Sequence, residues 1–237
     1  MSPLQNRIEV GREAYVVFVA DGEGGAGDLY AVRAAGGSVY PLTYTRLDEA
    51  RPSLSPDGIV VAFLRSRAAG DSTAGEVVIM NLLNGAERTI LLRTPERTPS
   101  RLGWSKDGGT LFVETASGII RASVPPAEVS VSDVTAGGAA AADSALGVEL
   151  GSPAFARVTT CQGSEEQLCV RTPDGQEQPL EAGARDAVRW GADSVGYLVG
   201  DALVVRPLGG GTRREVRWSD LPVSPRQPTV FAGPVRR

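Results

Sequence analysis

Ser55-Pro56-Asp57-Gly58 lies between the apolar Pro52-Ser53-Leu54 and the β-prone run Ile59-Val60-Val61-Ala62-Phe63-Leu64. The pattern returns as Ser105-Lys106-Asp107-Gly108, between Leu102-Gly103-Trp104 and Thr110-Leu111-Phe112-Val113-Glu114. The copies stand 50 positions apart, from 55 to 105. In such a turn proline presets φ, aspartate accepts hydrogen bonds from the N–H groups ahead of it, and glycine takes the positive φ at which the chain reverses. Lys106 in place of proline weakens only the first of these. One such turn occurs in any β protein. Two in phase, with the same flanks, mark a repeating unit of short strands that needs neighbours to bury its faces.

Outward from these copies the phase continues. A first unit reads Arg7-Ile8-Glu9-Val10, Tyr15 to Ala20, Asp28 to Val32 and Ser38 to Thr43. The unit after Ser55 continues with Glu76 to Met80 and Arg88 to Leu92, and the next with Gly118 to Ala122 and Val129 to Val131. Weaker units place Ala154 to Thr159, Gln167 to Arg171 and Gln178 to Leu180, then Ala187 to Trp190, Val195 to Val199, Ala202 to Val205 and Glu215 to Trp218. The expectation is an all-β fold, a single β-propeller of five four-stranded blades over 7–43, 51–92, 101–135, 146–180 and 186–218. Thr135 to Ala145, rich in alanine and glycine, reads as a connection between units. Residues 219–237 hold Pro222, Pro225, Pro228 and Pro234 and read as an extended tail outside the propeller.

The order of apolar strand, Ser-Pro-Asp-Gly, Val/Ile/Ala/Phe strand, acidic or glycine-rich loop, Leu-Tyr or Val-Ile-Met strand and Leu-Thr resembles the TolB-like β-propeller repeat family, most clearly over 14–114. The resemblance implies a non-enzymatic interaction scaffold of the kind found in the bacterial cell envelope. Some propellers of this type are appended to serine peptidases.

The chain has no histidine. That removes Ser-His-Asp and Cys-His nucleophilic sites in their usual form, and with them the peptidase reading. It also removes the common His-containing zinc sites, and two cysteines cannot form a thiolate cage. Gly103 to Gly108 matches only half of a nucleophile elbow and is explained by the repeated turn. Gly22-Glu23-Gly24-Gly25-Ala26-Gly27 matches G-x-G-x-x-G, but a strand pattern follows it where a dinucleotide site needs a helix, so it reads as a hairpin loop. Asp21, Glu23 and Asp28 have no recognised calcium-loop spacing. No catalytic residue, metal ligand or cofactor is assigned.

Cys161 and Cys169 flank a hairpin, either as a cross-strand disulfide or as two small half-buried hydrophobes. Met1 to Arg7 carries no apolar targeting core, which gives a cytoplasmic, membrane-peripheral expectation. A disulfide would instead fit a periplasmic protein whose signal peptide has been removed. No apolar run approaches the roughly 18 residues of a membrane span.

The formal net charge is −4, but it is uneven: 126–186 carries ten acids against three arginines, and from Arg206 onward seven arginines face two acids. With the aromatics in strands and not among the basic residues, nucleic acid is not the expected partner. Arg213, Arg214, Arg217, Arg236 and Arg237 form a basic edge suited to an acidic protein surface. The expected function is a protein-interaction scaffold, a membrane-extrinsic accessory subunit of a larger complex. The alternative is a small-molecule or glycan-binding propeller, or an enzyme using carboxylates at the channel mouth.

Overall fold

A computed structural model describes residues 4–22, 25–66, 76–90, 99–115, 117–124, 131–133, 157–163, 167–171, 175–191, 193–219 and 225–234. The connection expected at 135–145 lies outside them. The strands in chain order are β1 (Tyr15–Asp21), β2 (Gly27–Arg33), β3 (Gly37–Ser38), β4 (Tyr40–Pro41), β5 (Asp48–Leu54), β6 (Val60–Ser66), β7 (Glu76–Asn81) and β8 (Glu87–Ile90). They continue with β9 (Pro99–Trp104), β10 (Thr110–Thr115), β11 (Gly118–Ser123), β12 (Val131–Asp133), β13 (Arg157–Thr160), β14 (Leu168–Arg171) and β15 (Glu177–Pro179). The last are β16 (Ala184–Trp190), β17 (Ser194–Val199), β18 (Ala202–Pro207), β19 (Arg214–Val216), β20 (Trp218–Ser219) and β21 (Arg226–Phe231).

They form antiparallel sheets ordered β21-β1-β2-β4, β5-β6-β7-β8, β9-β10-β11-β12, β13-β14-β15 and β16-β17-β18-β19, with β3 and β20 as a short parallel pair. The architecture is an all-β propeller. Where five four-stranded sheets were expected, the described residues give four, and the unit at 146–180 contributes three strands.

Alternation explains why these runs become strands buried on both faces. In β1, Tyr15, Val17 and Val19 pack against Val61 and Phe63 of the second sheet. Val16, Phe18 and Ala20 point the other way, to Leu198, Leu203 and Val205 of the sheet holding β16–β19. Ala62, Val77 and Ile79 meet Trp104, Leu111 and Val113 of the third sheet. Val170 and Leu180 meet Val195, Tyr197 and Val204. Each cluster therefore fills the gap between two neighbouring sheets, which is how a propeller makes its core.

Three elements depart from the sequence expectation. Arg7 to Val10 is not a strand: the N–H groups of Arg12 and Glu13 bond to the Glu9 carbonyl, and the Glu13 carboxylate accepts the Glu9 N–H at 2.7 Å. These bonds close a turn and leave no edge to pair. The missing strand of the first sheet is β21, expected outside the propeller, whose residues pair with Tyr15 to Val19 of β1. The outermost strand of the fifth unit also stops at Val216, and Trp218 joins the pair with β3 instead.

The repeated turns are superimposable in their bonding. Gly58 donates to the Ser55 carbonyl at 2.9 Å, and the Asp57 carboxylate takes the Ser55 hydroxyl at 2.6 Å and the Ile59 N–H at 3.0 Å. Gly108, Asp107, Ser105 and Gly109 repeat this at 2.9, 2.6 and 3.0 Å. Gly58 and Gly108 have φ of +66° and +73°.

Candidate functional site

The innermost strands β16, β21, β5 and β9 follow one another around the axis. At the end where they begin, all four shift register: Ser100 is the extra residue in β9, while in the other three Arg51-Pro52, Asp186-Ala187 and Gln227-Pro228 each set two residues opposite a single aromatic residue, Phe63, Tyr197 and Phe18 respectively. Arg51, Asp186 and Gln227 adopt φ of +52°, +50° and +51°, a left-handed conformation uncommon for non-glycine residues. Such bulges re-aim side chains and cluster near functional sites.

Here the re-aimed side chains link one sheet to the next. The Asp186 carboxylate accepts the Gln227 N–H at 3.1 Å, and the Gln227 side-chain oxygen accepts the Arg51 N–H at 2.6 Å. The relay continues with Trp104, whose indole N–H donates to the Ser53 carbonyl at 2.9 Å. The result is a rigid polar rim on which the Arg51 side chain stands exposed.

Most charges at this end are already partnered. Arg226 meets Asp21 at 2.5 Å; Arg185 meets Asp186 at 3.0 Å and also donates to the carbonyls of Pro225 and Gly200. Arg101 clamps Glu114 through two bonds of 2.6 and 2.8 Å, and this holds the Glu114 carboxyl below its ordinary range, helped by Ser100 and by the nearby charge of Arg51. Arg51 itself makes no ion pair among the described residues.

Glu49, just inside the rim, is fully buried. Burial pushes its carboxyl up, while the Thr43 hydroxyl and Arg65, which is also paired with Glu87, favour the charged form. A buried carboxylate so fully bonded ties the loop after β4 to β5 and β6 and leaves little capacity for proton transfer to a substrate. Among the described residues no group of three or more side chains could hold a metal ion.

The loop from β4 to β5 lies at the same end. It is pinned by Asp28, which accepts the Thr45 N–H at 3.1 Å, and by Asp48, which accepts the Gly27 N–H at 2.8 Å. Tyr44 is turned outward on it, 79% exposed.

The sequence-derived candidates sit elsewhere. Arg213 faces Glu181 and Glu215, both at 3.3 Å; Arg214 donates to the Ala34 carbonyl and lies over the Trp190 ring. Arg217 is exposed, with no side-chain partner among the described residues. Arg236 and Arg237 lie outside the described residues. Cys161 and Cys169 are joined by a disulfide, with Cα atoms 5.0 Å apart. Their register is diagonal: Cys169 stands opposite Thr159, and the Cys161 N–H bonds to the Gln167 carbonyl. The bulge residues were missed by sequence reasoning. Their signal was present, since Arg51-Pro52-Ser53-Leu54 and Gln227-Pro228-Thr229-Val230 share one X-Pro-Ser/Thr-aliphatic pattern.

No helix among the described residues is long and apolar enough to cross a membrane. No family model matches the sequence. A search of curated proteins finds no match either. Solved structures do match. TolB from Acinetobacter baumannii aligns with a TM-score of 0.60 at 13% identity, covering 92% of this chain and 66% of that one. A chain of the nidogen/laminin complex aligns with a TM-score of 0.56 at 10% identity, covering 92% and 98%. This chain thus spans about two thirds of the TolB chain. At such identities the likeness is one of fold, and the fold is that of a TolB-like β-propeller.

Proposed function

We propose that the chain is a non-enzymatic protein-interaction scaffold, an accessory subunit peripheral to a membrane-associated complex, and that it docks through the bulged end. The observation that carries this reading is the pair of outward side chains on a rigid rim, Tyr44 and Arg51. Tyrosine and arginine are the residue types most enriched at binding hot spots, and rigidity lowers the ordering cost of association. The carboxylates beside them are bonded internally, which favours docking over acid–base chemistry.

The basic C-terminal edge belongs to the same reading as an auxiliary contact. Arg217 is free to meet an acidic surface, whereas Arg213 and Arg214 would have to exchange partners. The three-stranded sheet β13-β14-β15 serves in this reading as a fifth blade. The disulfide supports an oxidising compartment, so the scaffold would work on the extracytoplasmic side.

The test is affinity purification of the tagged chain from its native cells, with and without the double variant Tyr44→Ala/Arg51→Ala. Stoichiometric membrane-complex subunits that are lost from the variant at unchanged melting temperature are the expected result. Recovery of the same subunits by the variant would overturn the docking end, and recovery of no subunit would overturn the scaffold.

A further inference from the structure

At the end opposite the bulges lies an open groove of about 640 Å³, within the size range of ligand clefts. Its walls are the N-terminal turn segment from Leu4 to Arg12, the end of β2 at Arg33, and the turn from β7 to β8 at Leu82 to Asn84. Leu4, Ile8 and Leu82 belong to the core between the first two sheets and form an apolar floor, with Val10 packed against them.

The groove is pre-formed. Leu4 accepts the N–H groups of Arg7 and Ile8, and Gly11 sits close over the Asp57 carbonyl and Ile59 of the repeated turn. On the facing wall, the Asn81 side chain accepts the Leu83 N–H at 2.9 Å and the Asn84 side chain accepts the Ala86 N–H at 2.9 Å. These two bonds fix the backbone of the turn, on which Leu83 is 55% exposed; with Tyr44 it is one of the two large exposed apolar side chains among the described residues.

Charge selects the occupant. Three arginines, Arg7, Arg12 and Arg33, line the groove against one acid, Glu9, on a chain whose net charge is −4. Arg33 is paired with Glu13 at 3.2 Å, and Arg7 lies over the Tyr40 ring. Arg12 has no side-chain partner among the described residues. An exposed leucine and an unpaired guanidinium lining the same groove fit a segment that offers an apolar side chain flanked by carboxylates.

We infer that this groove docks an acidic, apolar peptide segment of a partner protein, making a second interaction surface on the end opposite Tyr44 and Arg51. The inference goes beyond the first docking end and does not depend on it.

The experiment is panning of a random heptapeptide library on the immobilised 237-residue chain, followed by fluorescence titration of the enriched peptide. Enriched sequences are expected to place Asp or Glu within two positions of a Leu, Ile, Met or Phe. Arg12→Glu and Leu83→Ser are each expected to weaken binding at least tenfold with melting temperature unchanged, and a peptide with its acids changed to lysine should bind Arg12→Glu better than the parent chain. Tyr44→Ala/Arg51→Ala should bind the peptide as the parent does, which separates this site from the first. Failure to enrich any peptide, a consensus without acids, or binding within twofold in both groove variants would overturn the inference. So would sedimentation showing a dimer that Leu83→Ser dissociates, because the groove would then be a contact between copies.

Discussion

Gly58 and Gly108 occupy the same place in the same turn, yet their surroundings differ. A Cβ on Gly58 would come within 2.4 Å of the Phe231 ring, whereas one on Gly108 would meet only Pro56, at 3.6 Å. Both substitutions carry the left-handed backbone penalty, about 1–2 kcal/mol, and only the first adds a steric clash with packed core, about 1–3 kcal/mol. Gly58→Ala is therefore expected to lower the urea-unfolding free energy by about 3 kcal/mol and Gly108→Ala by about 1–2 kcal/mol. Equal losses would show that the turn in the second sheet is not packed against β21. Arg65 gives a second test. Its side chain is 12% exposed and bridges the buried Glu49 and Glu87. Arg65→Met leaves a buried carboxylate without its cation, a change that costs about 3–5 kcal/mol near neutral pH. Burial already raises the Glu49 carboxyl, and losing the arginine raises it further above its unfolded value. For an acid shifted this way the penalty applies above the folded pKa and is relieved as pH falls through it. The deficit against the parent chain should shrink between pH 8 and about pH 5, and a deficit that stays constant would place Glu49 outside the pair's influence.

β21 carries the largest consequence of any single element. It is the innermost strand of the first sheet, bonded to β1 along its length and bridged to β5 and β16 by Gln227. Its Phe231 packs in the first core beside Tyr15, whose hydroxyl donates to the Gly58 carbonyl. Deleting residues 225–237 should abolish the cooperative thermal transition seen by circular dichroism, and adding the 225–237 peptide in trans should restore part of it. A truncated chain that melts cooperatively within a few degrees of the parent would refute the closure. The sequence hid this strand for a physical reason. Four prolines from Pro222 onward argue against a ladder, but Pro228 sits in a bulge, where its missing N–H interrupts no regular bond. The mirror error is Arg7 to Val10, where the phase of the repeat points to a strand and the Glu9–Glu13 bonds close a turn.

Across the whole molecule, what was legible was what repeats locally. The two Ser-x-Asp-Gly turns and the alternation of β1, β6 and β7 rest on contacts between near neighbours, so the propeller architecture could be read from them. The candidate sites depend on contacts between distant residues. Arg51 and Gln227 are 176 positions apart, and Arg214 and Ala34 are 180 apart; a local window holds the shared X-Pro-Ser/Thr-aliphatic pattern of two bulges, but not which bulge bonds to which, nor the internal engagement of Arg214. That same separation sets a timetable for the living cell. Asp21 and Arg226, paired in the finished protein, are 205 residues apart. At about 5–20 residues per second a ribosome needs roughly 10–40 s to bridge that interval. Throughout it, Tyr15 to Asp21 has been translated with its inner edge unpaired, an uncharged aliphatic and aromatic strand ending in one acid. Such an edge is a template for pairing with any other extended chain. Biosynthesis therefore passes through a window in which yield is decided by whatever shields that edge, and slowing translation late in the message should divert nascent chains to aggregate before the fold can close.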